Sequence, residues 1–152
     1  MKLSALLSAG RVLLDVREKD KDAFLTHMIQ ALAALGSIAD KSVLEKEVKE
    51  REALGNTGIG RGIGFPHAKS TQVKDIHVLL ARPAKPIAYG SLDGRPVSIV
   101  LMIIAPADGD NNEYLHTMAR ISRLLGKSEV REKIIAASTP DDVVKIVRDS
   151  EV

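Results

Sequence analysis

Apolar and polar residues along this chain change period repeatedly, from the two-residue repeat of strands to the 3.6-residue repeat of helices. Residues 3–9 read as a short helix and Val12-Leu13-Leu14-Asp15-Val16 as a strand. Beyond the charged stretch Glu18–Asp22, the residues Leu25, Met28, Ile29, Leu32 and Leu35 fall on one helical face, with Gly36 as the stop. His27 lies off that stripe, at a surface or boundary position. Ser42-Val43-Leu44-Glu45 has the Ser-x-x-Glu form of a capping box and predicts a helix to about Leu54, ended by Gly55. Leu44, Val48 and Arg51 share one stripe of that helix, which turns Arg51 toward its buried side.

Asp75–Ala81 reads as a strand on which His77 is partly exposed or hydrogen-bonded. Pro83 and Pro86 break the chain, Ile87–Tyr89 is a short edge strand, and Asp93-Gly94 marks a turn. Val97–Ile104 is almost continuously apolar and predicts the central strand, buried on both faces. After a loop over 105–112, Tyr114, Met118, Ile121 and Leu125 line the inner face of a helix. Its polar flank carries His116, Arg120 and Arg123, and Gly126 closes it. A short helix around 129–136 takes Ser128 as its cap, and Thr139-Pro140 opens a last helix with Val143, Val144 and Val147 inward. Strands alternating with helices predict an α/β fold: a single-domain sandwich over 1–152, with a mixed β-sheet of about five strands flanked by helices on both faces.

Composition narrows the function. Aromatic residues make up 3% of the chain, so the core must be aliphatic. A net charge of +2, without a basic cluster interleaved with aromatics, argues against a nucleic-acid binder. The absence of cysteine removes disulfides, thiolate metal sites and cysteine nucleophiles, and fits a cytoplasmic protein. The stretch Met1–Leu7 turns polar too soon for a signal peptide, and no apolar run approaches the ~20 residues of a membrane span.

The densest signal is Leu54–Lys69, where glycines alternate at 58, 60, 62 and 64 and Pro66 precedes His67. As a strand, this run has one face of Ile59, Arg61, Ile63 and Phe65 and one of bare backbone, delivering His67 at its end. A histidine in such a place is most often structural, so phosphate-binding alternatives need testing. From Gly55 the order Gly-x-x-x-x-Gly-Arg-Gly lacks the Lys-Ser/Thr of a P-loop, and the glycine spacing does not fit G-x-G-x-x-G.

Arg51-Glu52-x-x-Gly55-x-Thr57-Gly58-Ile59-Gly60 followed by Gly62-Ile63-Gly64-Phe65-Pro66-His67 resembles the phosphorylation-site signature of type-2 enzyme IIA domains. These belong to the bacterial phosphoenolpyruvate-dependent phosphotransferase system, of mannitol/fructose type, and include the nitrogen-regulatory IIA proteins. Pro86-Ile87, Leu92-Asp93-Gly94-Arg95-Pro96-Val97 and Leu115–Leu125 resemble the family's later sections, so the likeness covers nearly the whole chain.

The resemblance implies a phosphohistidine carrier. His67 would accept a phosphoryl group from the phosphocarrier HPr or its regulatory paralogue, with no metal and no cofactor. The acceptor would be a cysteine on a separate IIB domain, or the group would serve as a regulatory signal; one chain leaves both open. Taken alone, Arg51 is one more charge in a solvated run; with the resemblance it becomes the guanidinium that meets the phosphoryl group. Thr57 and the backbone near Gly64 and Ala68 are the further donors expected around it. Many family members have Gly where Ala68 stands. A helper histidine of the family aligns with Tyr114, while His116 lies about 200° further round the helix, at ~100° per residue; either is the expected helper. Ile63 and Phe65 are expected to offer an apolar rim to a partner. The competing reading is a regulatory binding module on the same fold that works without phosphorylation.

Overall fold

The computed structural model describes residues 2–36 and 38–151; Met1, which opens the N-terminal stretch read above, lies outside them. The centre is β6 (Ile99–Pro106), in which every residue but the last is buried. It pairs antiparallel with β5 (His77–Pro83), which pairs in parallel with the edge strand β1 (Val12–Val16). On its other side β6 carries β3 (Ile63–Gly64) and β4 (His67–Ser70), both parallel, and β2 (Gly58–Gly60) lies antiparallel beyond β3. Among the described residues the sheet has six strands, one more than expected, because the glycine run folds back on itself.

Successive side chains of a strand leave opposite faces, and β6 uses both. Ile99, Leu101, Ile103 and Ala105 pack under α1 (Leu3–Leu6), α4 (Asn111–Leu125), α5 (Ser128–Ala136) and α6 (Pro140–Ser150). Val100, Met102 and Ile104 pack under α2 (Lys21–Ala34) and α3 (Lys41–Leu54). Helices therefore cover both faces, and a charge at any of these β6 positions would have to be desolvated without a partner. No helix among the described residues is long and apolar enough to cross a membrane.

Helix ends depart from the sequence reading where a stronger cap lies nearby. Asp40 takes the N-cap of α3, accepting from Ser42 N at 2.9 Å, and Ser42 sits inside the helix. A carboxylate there answers both the free amides and the positive end of the helix dipole. Lys127, whose side chain makes no capping bond, stands at the N-cap of α5, whose first residue is Ser128. Leu35 lies past the last turn of α2 and is exposed, so the buried stripe ends at Leu32. At α6 the Thr139 cap and Pro140 are found as read, and Asp142 completes a capping box. Ile87–Tyr89 makes only isolated bridges, Ile87 to Val97 and Ala88 to Asp20.

Candidate functional site

The glycine run forms a hairpin. Gly60, Arg61 and Gly62 have φ of 86°, 59° and 80°, three consecutive left-handed residues that reverse the chain between β2 and β3. Two of the three being glycine removes most of the Cβ strain. Arg61 is pinned instead by its amide, which donates to Asp93 Oδ2 at 2.9 Å. This bond, with a second from Arg95 N–H, holds the Asp93 carboxyl below the usual carboxylate range. Gly64 serves packing, because a Cβ there would sit 3.0 Å from the Tyr89 ring.

β3 and β4 then run in line along β6 with unchanged register, Ile63 opposite Ile99 and His67 opposite Ile103. The break between them is Phe65-Pro66. His67 thus opens a strand, where the sequence suggested that it closes one. It is half-buried, and its ring lies 5.4 Å from that of Phe65.

Both imidazole nitrogens of His67 have defined partners. The Phe65 carbonyl lies 2.8 Å from Nδ1, and a carbonyl only accepts, so Nδ1 carries the proton. Arg51 Nη2 lies 3.2 Å from Nε2, and a guanidinium only donates, so Nε2 holds a lone pair. The network therefore assigns a neutral ring with Nε2 bare. Arg51 reaches this place from the last turn of α3, and its Nη1 donates to the Gly55 carbonyl at 3.3 Å. Glu47, one turn earlier, accepts from Ser70 Oγ at 2.6 Å and Thr71 N at 3.0 Å, which fastens α3 to β4.

Around the ring lies an open depression whose lining includes Arg51, His67, Lys69, Tyr114, Leu115 and Met118. Tyr114 points into it from α4, with Lys69 Nζ 5.7 Å from its ring centroid. Burial pushes its phenol pKa up, against the pull of Arg51. His116 is exposed on another flank of α4, with Asp110, Glu113 and Arg120, and does not meet His67. Ala68 is buried beneath the depression, its backbone in the β4–β6 ladder.

Two expectations fail on burial. Thr57 is buried and its hydroxyl proton goes to Glu52 Oε1 at 2.7 Å, which leaves it no donor for a phosphoryl oxygen. Ile63 and Phe65 are 2% and 4% exposed, core residues and no rim; at the depression the exposed apolar side chain is Leu115, 51% exposed, beside the partly buried Met118. Glu52, read as part of a solvated charge run, has a side chain only 8% exposed. It accepts from both donors of Thr57 and pairs with Lys21 at 2.8 Å. No composition signal marks the Phe65 carbonyl; Pro66 is its one trace in the sequence.

The α/β sandwich fixes one neutral histidine against one guanidinium beside an open depression. The chain belongs to the family described as phosphoenolpyruvate-dependent sugar phosphotransferase system, EIIA 2, which matches residues 5–150. It is 33% identical over 147 residues to the PTS system fructose-specific EIIABC component of Bacillus subtilis. That match takes in 97% of this chain but only 23% of the relative's length. The nitrogen regulatory protein IIA-Ntr from Neisseria meningitidis shares the fold at a TM-score of 0.89 and 23% identity, over 95% of this chain and 98% of that one. The Escherichia coli enzyme IIA mannitol, solved in complex with phosphorylated enzyme IIB mannitol, shares it at 0.79 and 18%, over 94% and 97%.

Proposed function

We propose that the chain works as one cytoplasmic IIA domain, a phosphohistidine carrier that receives a phosphoryl group on Nε2 of His67. The observation that carries the reading is the pair of contacts on the ring: Nδ1–H on the Phe65 carbonyl at 2.8 Å, and bare Nε2 against Arg51 at 3.2 Å. The Nε2 lone pair attacks the phosphorus of a phosphohistidine donor, HPr or its regulatory paralogue. The donor's P–N bond breaks with its electron pair returning to the donor nitrogen. No proton has to move for the new P–N bond to form. The ring takes on positive charge, which the Nδ1–H bond to Phe65 spreads, and this keeps it a good leaving group for onward transfer. Arg51 can follow Nε2 to an equatorial phosphoryl oxygen, where a charged donor stabilises a loose transition state.

Tyr114 is the helper of choice, since it lines the same depression as His67 and His116 does not. The acceptor follows one of two patterns. In the mannitol neighbour the IIA domain is found with phosphorylated IIB, which supports transfer to a IIB cysteine. The nitrogen-regulatory neighbour, matched over almost its whole length, supports a signalling use of the same group.

The test is intact-mass spectrometry after incubation with phosphoenolpyruvate, enzyme I and HPr, repeated with the regulatory paralogue. The expected result is one acid-labile phosphoryl adduct on the wild type and none on His67→Ala. No adduct with either donor would refute the carrier reading and leave the phosphorylation-independent binding module.

A further inference from the structure

We propose that Glu52 is a positioning residue that sets the tautomer of His67, by drawing the Thr57 N–H out of the β2–β3 ladder. In the register of that hairpin Gly58 faces Gly64, so Thr57 faces Phe65. Phe65 N donates to the Thr57 carbonyl at 2.9 Å. A hydrogen-bonded antiparallel pair exchanges two such bonds, so the ordinary completion sends Thr57 N–H to the Phe65 carbonyl. Here Thr57 N–H goes to Glu52 Oε1 at 3.2 Å, and the vacated carbonyl accepts His67 Nδ1–H at 2.8 Å.

The carboxylate is held for this task. It accepts the Thr57 hydroxyl at 2.7 Å, and Lys21 Nζ lies 2.8 Å from the same oxygen. Since the Thr57 hydroxyl has one proton and gives it to Glu52, Tyr89 must be the donor in the 2.9 Å bond between the two hydroxyls. Lys21 Nζ also lies 4.4 Å from the Tyr89 ring centroid, which ties α2, the 89–91 loop and the hairpin to one point. Two adjacent residues of α3 therefore govern both ring nitrogens: Arg51 at Nε2 directly, and Glu52 at Nδ1 through Thr57 and Phe65. A ring with its proton on Nε2 would turn its one lone pair, on Nδ1, against the Phe65 carbonyl and set an N–H against the Arg51 guanidinium.

The kinetic consequence rests on the carrier reading; the tautomer does not, because it belongs to the free protein. The first experiment is ¹⁵N NMR of the neutral His67 ring, with through-hydrogen-bond couplings from Thr57 N–H, in the wild type, Glu52→Ala and Glu52→Gln. The wild type is expected to hold the Nδ1–H tautomer with no coupling from Thr57 N–H to the Phe65 carbonyl. Glu52→Ala is expected to mix tautomers and to gain that coupling, while Glu52→Gln, which keeps an acceptor oxygen, retains the wild-type ring. In single-turnover phosphorylation by phospho-HPr, Glu52→Ala should lose roughly 10- to 100-fold in maximal rate, the cost of a misplaced reacting group, with little change in KM. Val143→Ala, a core truncation on the buried face of α6, should lose stability and keep both the tautomer and the rate.

An Nε2–H ring in the wild type, which needs no variant to fold, overturns the proposal. So does a folded Glu52→Ala with an unchanged ring, whatever its rate. A wild type that accepts no phosphoryl group, alongside the expected tautomer change in Glu52→Ala, refutes the carrier reading and leaves the positioning role standing.

Discussion

Replacing Arg51 separates its role at His67 from its role in the helix. The guanidinium divides its donors, Nη1 to the Gly55 carbonyl at 3.3 Å and Nη2 to His67 Nε2 at 3.2 Å. A lysine keeps the charge but presents it from one nitrogen on a flexible stem, so it cannot anchor on Gly55 and meet the phosphoryl group in one fixed geometry. A hydrogen bond to a charged group is worth about 1.5–3 kcal/mol, and a preorganised donor in a transition state about 2.7–4 kcal/mol. Arg51 is half-exposed, so solvent screens it and the lower range applies. Arg51→Met should therefore slow phosphoryl transfer by roughly 10- to 150-fold, at about 1.4 kcal/mol per factor of ten. Arg51→Lys should recover part of that loss and stay about tenfold below the wild type. The helix should tolerate both, since a cation in its last turn contributes only about 0.3–1 kcal/mol. The assay is rapid-quench phosphorylation by excess phospho-HPr, read as the acid-labile adduct by mass, with thermal unfolding in parallel. A rate for Arg51→Lys within twofold of the wild type would refute the geometric argument.

Three further outcomes follow from the contacts around the sheet. Tyr114→Phe keeps the buried ring and removes the hydroxyl, so transfer should slow by about 2- to 13-fold, the worth of one neutral hydrogen bond; His116→Ala, outside the depression, should leave the rate unchanged in the same assay. Gly64→Ala places a Cβ 3.0 Å from the Tyr89 ring, and the overpacking should cost about 1–3 kcal/mol in a denaturant titration. His77 is buried and accepts from Arg11 Nη1 at Nδ1, 3.0 Å away; burial first and Arg11 second lower its pKa, against Asp75. A base held neutral binds fewer protons folded than unfolded, so its contribution is complete above the unfolded value of about 6.5 and is lost as pH falls below it. Thermal unfolding from pH 7.5 to 5.5 should show this loss, and His77→Gln, which keeps an acceptor for Arg11 but cannot titrate, should flatten it.

Elements set by local periodicity were legible in the sequence: α2 by its Leu25–Leu32 stripe, α6 by Thr139-Pro140, and β6 by its apolar run. The hairpin was not, because alternating glycines fit the two-residue period of a strand as well as they fit a turn. What decides it is the left-handed φ of Gly60, Arg61 and Gly62, supported by Asp93, which is 32 residues away from Arg61. The α3 cap was misread for a simpler reason, since Asp40 outcompetes Ser42 as an acceptor for the free amides. The ring of the site was legible through Arg51 and His67; its backbone acceptor was not, because a carbonyl released from a ladder leaves no side-chain signature. Glu52 shows the limit most clearly. Apart from the stripe of Val48 and Arg51, the run Glu47–Glu52 reads as solvated charge, yet the helix turns its acidic residues to different environments. Glu47 ties down β4, Arg51 meets His67, and Glu52 is buried against Thr57.

The same geometry bears on how a phosphoryl group on His67 would be read by a partner. The ring sits at the start of β4, in register with β6 and fastened to α3 through Glu47, so the surrounding framework has little freedom to rearrange. A phosphoryl group brings about −1.5 to −2 charges at neutral pH. It would arrive in an open depression whose rim carries Arg51 and Lys69 beside exposed Leu115. The phosphorylated and free forms would then differ mainly in local charge, with the backbone nearly unchanged. A partner that docks on the free form through Leu115 and the unneutralised cations would be released on phosphorylation by electrostatics alone. That discrimination should weaken as salt is raised, because exposed charges are screened within about 10 Å at 0.1 M.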